Sequence, residues 1–201
     1  MAYSNFTLTE VQETFQLKKV LSTGLFSEIK PVEPSAYLST VLGKKAALAT
    51  AIGTEKARSE LIVADILFAL REHLEERISL FSGIEFNVDA KNGLVGVCDF
   101  LVSLSPDQLE LQAPIIILVG AKNLDMKQGL GQCAAEMLAA QRFNAEKGNN
   151  IRAVYGATTT GIDWQFLKLE EKHLHLDMAT YTLERCDRLL GILVSMVEQK
   201  A

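Results

Sequence analysis

The apolar positions follow one rhythm before residue 75 and another after it. In the first part they recur at helical spacing, and three helices are predicted. Thr7 and Glu10 have capping-box spacing for a short helix to about Leu17. Pro31 to Pro34 is a loop, because each proline restricts the residue before it. Ser35 caps a second helix to about Ala51. Gly53 ends it, and Thr54 starts a third that runs to about Leu74. On this third helix Glu60, Val63, Ala64, Leu67 and Leu74 share a stripe, which turns Glu60 inward or along the core edge. An exposed ion pair with Lys56, one turn earlier, is the competing expectation.

From Ile78 the period becomes two. Ile78 to Asp89 and Leu94 to Leu104 read as strands joined at Ala90-Lys91-Asn92-Gly93, with the Asn-Gly hairpin signal. Alternation puts Val95, Val97, Asp99 and Leu101 on one face. Pro114 to Lys122 is apolar on both faces, as in a central strand covered on both sides, and Gly120 shares its face with Lys122. An Ala-rich helix follows from Gln128 to about Asn144, with Gln132, Glu136, Ala139 and Phe143 on one face. Ile151 to Ala157 is a strand. Asp163 to Met178 is a hairpin turning at Glu170-Glu171-Lys172, and Tyr181 to Gln199 is a final amphipathic helix. The order predicts an α/β fold with a mixed central sheet and helices on both faces. Residues 1–52 are expected as an N-terminal helical extension and 53–201 as the core of a single domain.

Composition narrows the class. The 201 residues are 48% hydrophobic and 22% charged, the balance of an ordinary globular protein. No apolar run approaches the ~20 residues of a membrane span. The first residues carry neither the basic nor the apolar region of a signal peptide. Cys98, Cys133 and Cys186 lack metal-ligand spacing and are expected as reduced, buried thiols of a cytoplasmic protein. The net charge of −5 disfavours nucleic-acid binding by bulk electrostatics but leaves room for a local basic face.

Asp99 and Lys122 stand in otherwise apolar strands. A buried charge is costly unless it is paired or binds a metal. An inward acid beside an inward lysine marks a functional site, and a plain buried salt bridge is the alternative. His173 and His175 alternate with Leu174 and Leu176 and read as the solvated face of an edge hairpin, with no third metal ligand evident. Gly129-Leu130-Gly131 is too short for a phosphate loop, and no nucleotide-binding or nucleophile-elbow motif occurs.

Five segments carry a resemblance: Lys56-Ala57-Arg58-Ser59-Glu60-Leu61-Ile62, Gly96-Val97-Cys98-Asp99, Ala121-Lys122-Asn123, Gly129-Leu130-Gly131-Gln132-Cys133, and Tyr155-Gly156-Ala157-Thr158-Thr159-Thr160-Gly161 with Trp164. Together they resemble the PD-(D/E)XK superfamily of restriction-endonuclease-like nucleases, most of all its cyanobacterial-type members. The resemblance implies a restriction-endonuclease-like sheet and hydrolysis of DNA phosphodiesters with Mg2+ or Mn2+, commonly by a homodimer. It implies that Asp99 and the Ala121 backbone carbonyl bind the metal, that Lys122 orients the attacking water, and that Glu60 and Gln132 complete the site. The departure is Gly120, which stands where the family carries a second acid. Glu136, one turn after Gln132, is the substitute by position, and Asp125 in the loop is a weaker one. Two functions are therefore expected: a Mg2+-dependent nuclease with an impaired or rewired site, or a catalytically inactive nuclease-fold protein acting as an interaction or regulatory module.

Overall fold

The computed structural model describes residues 2–122 and 126–199. Among the described residues a mixed sheet of eight strands forms the centre. The strands are β1 (Lys18–Ser22), β2 (Ser79–Glu85), β3 (Val97–Ser103), β4 (Ile115–Ala121), β5 (Val154–Thr159), β6 (Asp163–Glu170), β7 (His173–Asp177) and β8 (Tyr181–Thr182). Their order across the sheet is β1-β7-β6-β5-β4-β3-β2, and β8 adds to β6. β4 and β5 are parallel, as are β1 and β7, and the remaining pairs are antiparallel.

Helices cover both faces, so the α/β expectation with a mixed sheet holds. On one face lie α2 (Ala36–Ile52), α3 (Glu55–Arg58), α4 (Ala64–His73) and α6 (Cys186–Val197), packed around Phe26, Trp164 and Phe166. On the other lie α1 (Leu8–Phe15) and α5 (Met126–Glu146), which bury Leu101, Leu118, Leu167 and Leu174. No helix of the described residues is long and apolar enough to cross a membrane.

The capping chemistry read from the sequence is in place. Thr7 and Glu10 form the reciprocal capping box of α1. Ser35 accepts from the Leu38 N–H at the start of α2, and Gly53 ends that helix in the left-handed region. α5 is the crossover that a parallel β4–β5 pair requires.

Three expectations need correction. The first 52 residues are not helical throughout, because Lys18–Ser22 form β1. Its side chains are mostly exposed and it is held by main-chain pairing to β7, so no period-two burial marks it. The third helix is not continuous either. A wide π turn over Ser59–Val63 separates α3 from α4. The last helix begins at Cys186 rather than Tyr181, since Tyr181–Thr182 join the sheet as β8.

One buried amide secures the start of β4. A register shift interrupts the β3–β4 ladder there. Asn144 on α5, 1% exposed, accepts from the Ile115 N–H at 2.7 Å and donates to the Ile115 carbonyl at 2.7 Å, as a neighbouring strand would. Asn144→Ala strands both buried main-chain groups. It is expected to cost roughly 2–4 kcal/mol in urea denaturation, and a loss below about 1 kcal/mol rejects this role.

Candidate functional site

The site forms where β3 and β4 stop pairing. Their ladder runs from Ser103 opposite Ile115 to Phe100 opposite Val119. One residue further, the Asp99 side chain takes the place of a strand partner: its Oδ2 accepts the Ala121 N–H at 2.9 Å. On β2, Gly83 lies between the partners of Phe100 and Cys98 and is in the left-handed region at φ 64°. The irregularity changes the alternation expected from the sequence. Cys98 and Leu101 pack in the same core, while Val97 is 51% exposed.

Gly120 and Lys122 lie on the α5 side of β4. A Cβ added to Gly120 would stand 3.8 Å from Lys122 Cε and 4.0 Å from Asp99 Oδ2, an ordinary contact with both. α5 then supplies the opposite wall. Lys122 Nζ donates to Gln132 Oε1 at 3.3 Å, and Gln132 Nε2 donates to Glu136 Oε1 at 2.9 Å. Asp99, Lys122, Gln132 and Glu136 therefore line one slot around the bare backbone of Gly120.

The two glycines of Gly129-Leu130-Gly131 acquire a physical role here. A Cβ at Gly129 would meet Lys122 Cε at 2.9 Å, Lys122 Cγ at 3.0 Å and Thr158 Cγ2 at 3.1 Å. Gly129 thus leaves the room in which the lysine chain lies. A Cβ at Gly131 would overlap the Phe6 carbonyl and the Thr7–Leu8 backbone, so Gly131 admits the N-terminal segment to the side of α5. That segment is anchored by the Tyr3 N–H on the Val95 carbonyl at 3.0 Å and the Tyr3 hydroxyl on the Phe86 carbonyl at 2.7 Å. Tyr3 and Phe6 are buried beside the site.

Electrostatics single out Glu136. It is 1% exposed, and its Oε2 has no hydrogen-bond partner among the described residues. Burial raises its pKa to about 8, the hydrogen bond from Gln132 opposes this, and the Asp99 charge adds to the rise. At neutral pH this carboxyl holds its proton, whereas an ordinary glutamate would have lost it. Burial also pushes the Cys98 and Cys133 thiols up, so neither is a nucleophile here.

Glu60 does not turn inward. Its side chain is 59% exposed and pairs with Lys56 Nζ at 2.7 Å. The π turn that contains Glu60 widens the helix and rotates it out of the stripe shared by Val63 and Leu67. Ala121 is buried at the end of β4, with Asp99 on its N–H. Asp125 lies outside the described residues. His173 is exposed and His175 half-buried, with ring centroids 6.4 Å apart. Their strand β7 is not an edge, since β1 lies outside it. Burial and then the Lys168 charge lower the His175 pKa, which works against a charged imidazole there.

Thr158 is a residue of the site that the sequence reading does not single out. β5 sets it beside Gly120 in the parallel register, and its methyl lies against Gly129. The signal was the run of three threonines, which does not reveal which of them faces α5. Among the described residues no group of three His, Cys, Asp or Glu side chains is placed to hold a metal ion. A cavity of about 650 Å3 between α2 and the start of α6 shares no residue with the slot.

Two outcomes follow from this geometry. The Glu136 pKa is raised in the folded state, so its contribution is full below the unfolded value and is lost as pH rises through about 8. Without added metal, Glu136→Gln is expected to gain on the wild type as pH rises from 5 to 9, reaching on the order of 4 kcal/mol by denaturation. A constant difference across that range would refute the raised pKa. Gly120→Ala adds a Cβ without a clash and is expected to stabilise by up to about 1 kcal/mol through a stiffer unfolded chain. Destabilisation in the same melts would mean that the space over Gly120 is already filled.

No protein-family model, no curated protein and no solved structure matches this chain.

Proposed function

We propose that the protein is a divalent-metal-dependent phosphodiesterase acting on DNA, of the restriction-endonuclease-like kind, in which Glu136 takes the part of the acid that Gly120 lacks. One observation carries this reading. A fully buried carboxyl with an unpartnered oxygen faces the charge of Asp99 across a slot that also contains a lysine. Two close carboxyl groups in a buried place are unfavourable unless a cation or a proton lies between them.

The donor set fits Mg2+, which takes few protein oxygens and keeps several waters. Asp99, Glu136 and the Ala121 carbonyl would hold it, and when bound it would polarise a phosphate oxygen and acidify a water. The chain's own groups do the rest. Lys122 offsets phosphate charge and orients the attacking water. Gln132 ties the lysine to Glu136 and fixes the direction of its ammonium. The N-terminal segment, with Tyr3 and Phe6, covers one side of the slot and limits its water. The large exposed hydrophobics Tyr37, Leu48 and Ile52 on α2 and Phe68 on α4 support a homodimer through that face. Sedimentation that finds only monomer rejects that part of the proposal.

Gly120 favours a second reading, a non-catalytic protein of the same fold that acts through binding. The two are separated by thermal melts with Mn2+ and by cleavage of plasmid DNA. An active site predicts a higher melting temperature with metal, corresponding to about 2.7 kcal/mol of added stability at ~100 times the dissociation constant. It also predicts nicking that Asp99→Asn and Lys122→Ala both abolish. If the wild type neither shifts nor cleaves while Gly120→Glu does both, the binding-protein reading stands. If neither protein responds to metal, the reading of the slot as a metal site is wrong.

A further inference from the structure

Thr158, Thr159 and Thr160 follow one another at the end of β5. Two of them have evident work in the turn to β6. Thr159 Oγ1 donates to the Asp163 carbonyl at 2.8 Å and accepts from the Gly161 N–H at 2.8 Å. Thr160 Oγ1 accepts from the Asp163 N–H at 3.1 Å. Thr158 has none. It is fully buried, and its hydroxyl lacks a partner among the described residues. A buried hydroxyl without a partner is unfavourable, and a valine of the same shape would avoid the cost. Something other than packing has to account for it.

Its position supplies the reason. Thr158 stands directly beside Gly120 in the β4–β5 register, on the side covered by α5. The point that a Cβ of Gly129 would occupy touches both the Lys122 chain and the Thr158 methyl, so the two side chains lie together. Gly120, between Asp99 and Thr158, puts nothing in the space they share. Glu136 Oε2, another buried oxygen without a partner among the described residues, is joined to Lys122 through Gln132. The Thr158 hydroxyl and the Lys122 ammonium are both donors, of the kind that a phosphate oxygen accepts from.

We infer that Thr158 is a substrate-binding residue of this site, whose hydroxyl donates, beside the Lys122 ammonium, to an oxygen of the substrate phosphate across the bare Cα of Gly120. The inference rests on the phosphodiesterase reading and adds the residue that holds the phosphate on the β5 side. It also gives Gly120 a positive role, since a longer side chain there would stand between Thr158 and Asp99.

The test is titration of the whole protein with inorganic phosphate in Mg2+, read by 31P line broadening, for the wild type, Thr158→Val, Thr158→Ser and Lys122→Ala. Thr158→Val is expected to melt at or above the wild-type temperature, because it removes an unpartnered buried hydroxyl, and yet to bind phosphate about tenfold more weakly. Thr158→Ser, which keeps the hydroxyl, is expected to bind within about twofold of the wild type. If Thr158→Val binds as the wild type does while Lys122→Ala loses binding, the role of Thr158 is refuted and the site reading survives. Equal weakening by valine and serine also refutes it, because shape and not the hydroxyl would then matter. If Lys122→Ala keeps full binding, or the wild type binds no phosphate, the site reading falls and the inference with it.

Discussion

The close approach of α5 to the sheet is the constraint on which the rest depends. Gly129 and Cys133 face the sheet, and Ala134, Ala135, Ala139 and Ala140 are small and fully buried, so the helix lies low over β4 and β5. Gly156 meets it from below: a Cβ there would overlap the Cys133 and Met137 sulfurs. A helix at this range cannot keep long polar side chains on its buried face unless they find partners within the layer. Gln132 and Glu136 are such side chains, and the slot beside Gly120 is where they find them. Larger residues on α5 or at Gly156 would lift the helix and open the slot to water.

That closeness sets the electrostatics. Asp99, Lys122 and Glu136 share a narrow space between β4 and α5, with only Gln132 as a neutral link. Lys122 balances one acid and not two. Burial keeps the more deeply placed carboxyl, Glu136, protonated, and the charge of Asp99 adds to the effect. The orphaned oxygens of Glu136 and Thr158 belong to the same imbalance.

Much of this was legible in the chain. The central strand declared itself by its run of isoleucines, the crossover helix by its alanines and the first three helix starts by their caps. Asp99 and Lys122 stood out because a charge in an apolar strand has few explanations. β1 was hidden because an exposed strand held by its main chain carries no side-chain pattern. Glu60 misled because a stripe of three-and-four spacing assumes an unbroken α-helix, and the π turn breaks that assumption. Thr158 was hidden among identical neighbours, since only the turn to β6 separates a working threonine from an idle one.

The sequence by itself determined the class of fold, the strand that carries Lys122 and the helix that carries Gln132 and Glu136, because periodicity and capping are local properties of the chain. It also put Gly120 on the face of Lys122, which needs only period-two counting. Tertiary structure decided what those residues face. Whether Glu136 is a solvated carboxylate or a protonated one depends on how low α5 lies on the sheet. Whether Asp99 is a free ligand or a strand partner depends on where the β3–β4 ladder ends. Both are set by contacts between segments far apart in the chain, and burial, the source of the energies at this site, exists only once those segments have met.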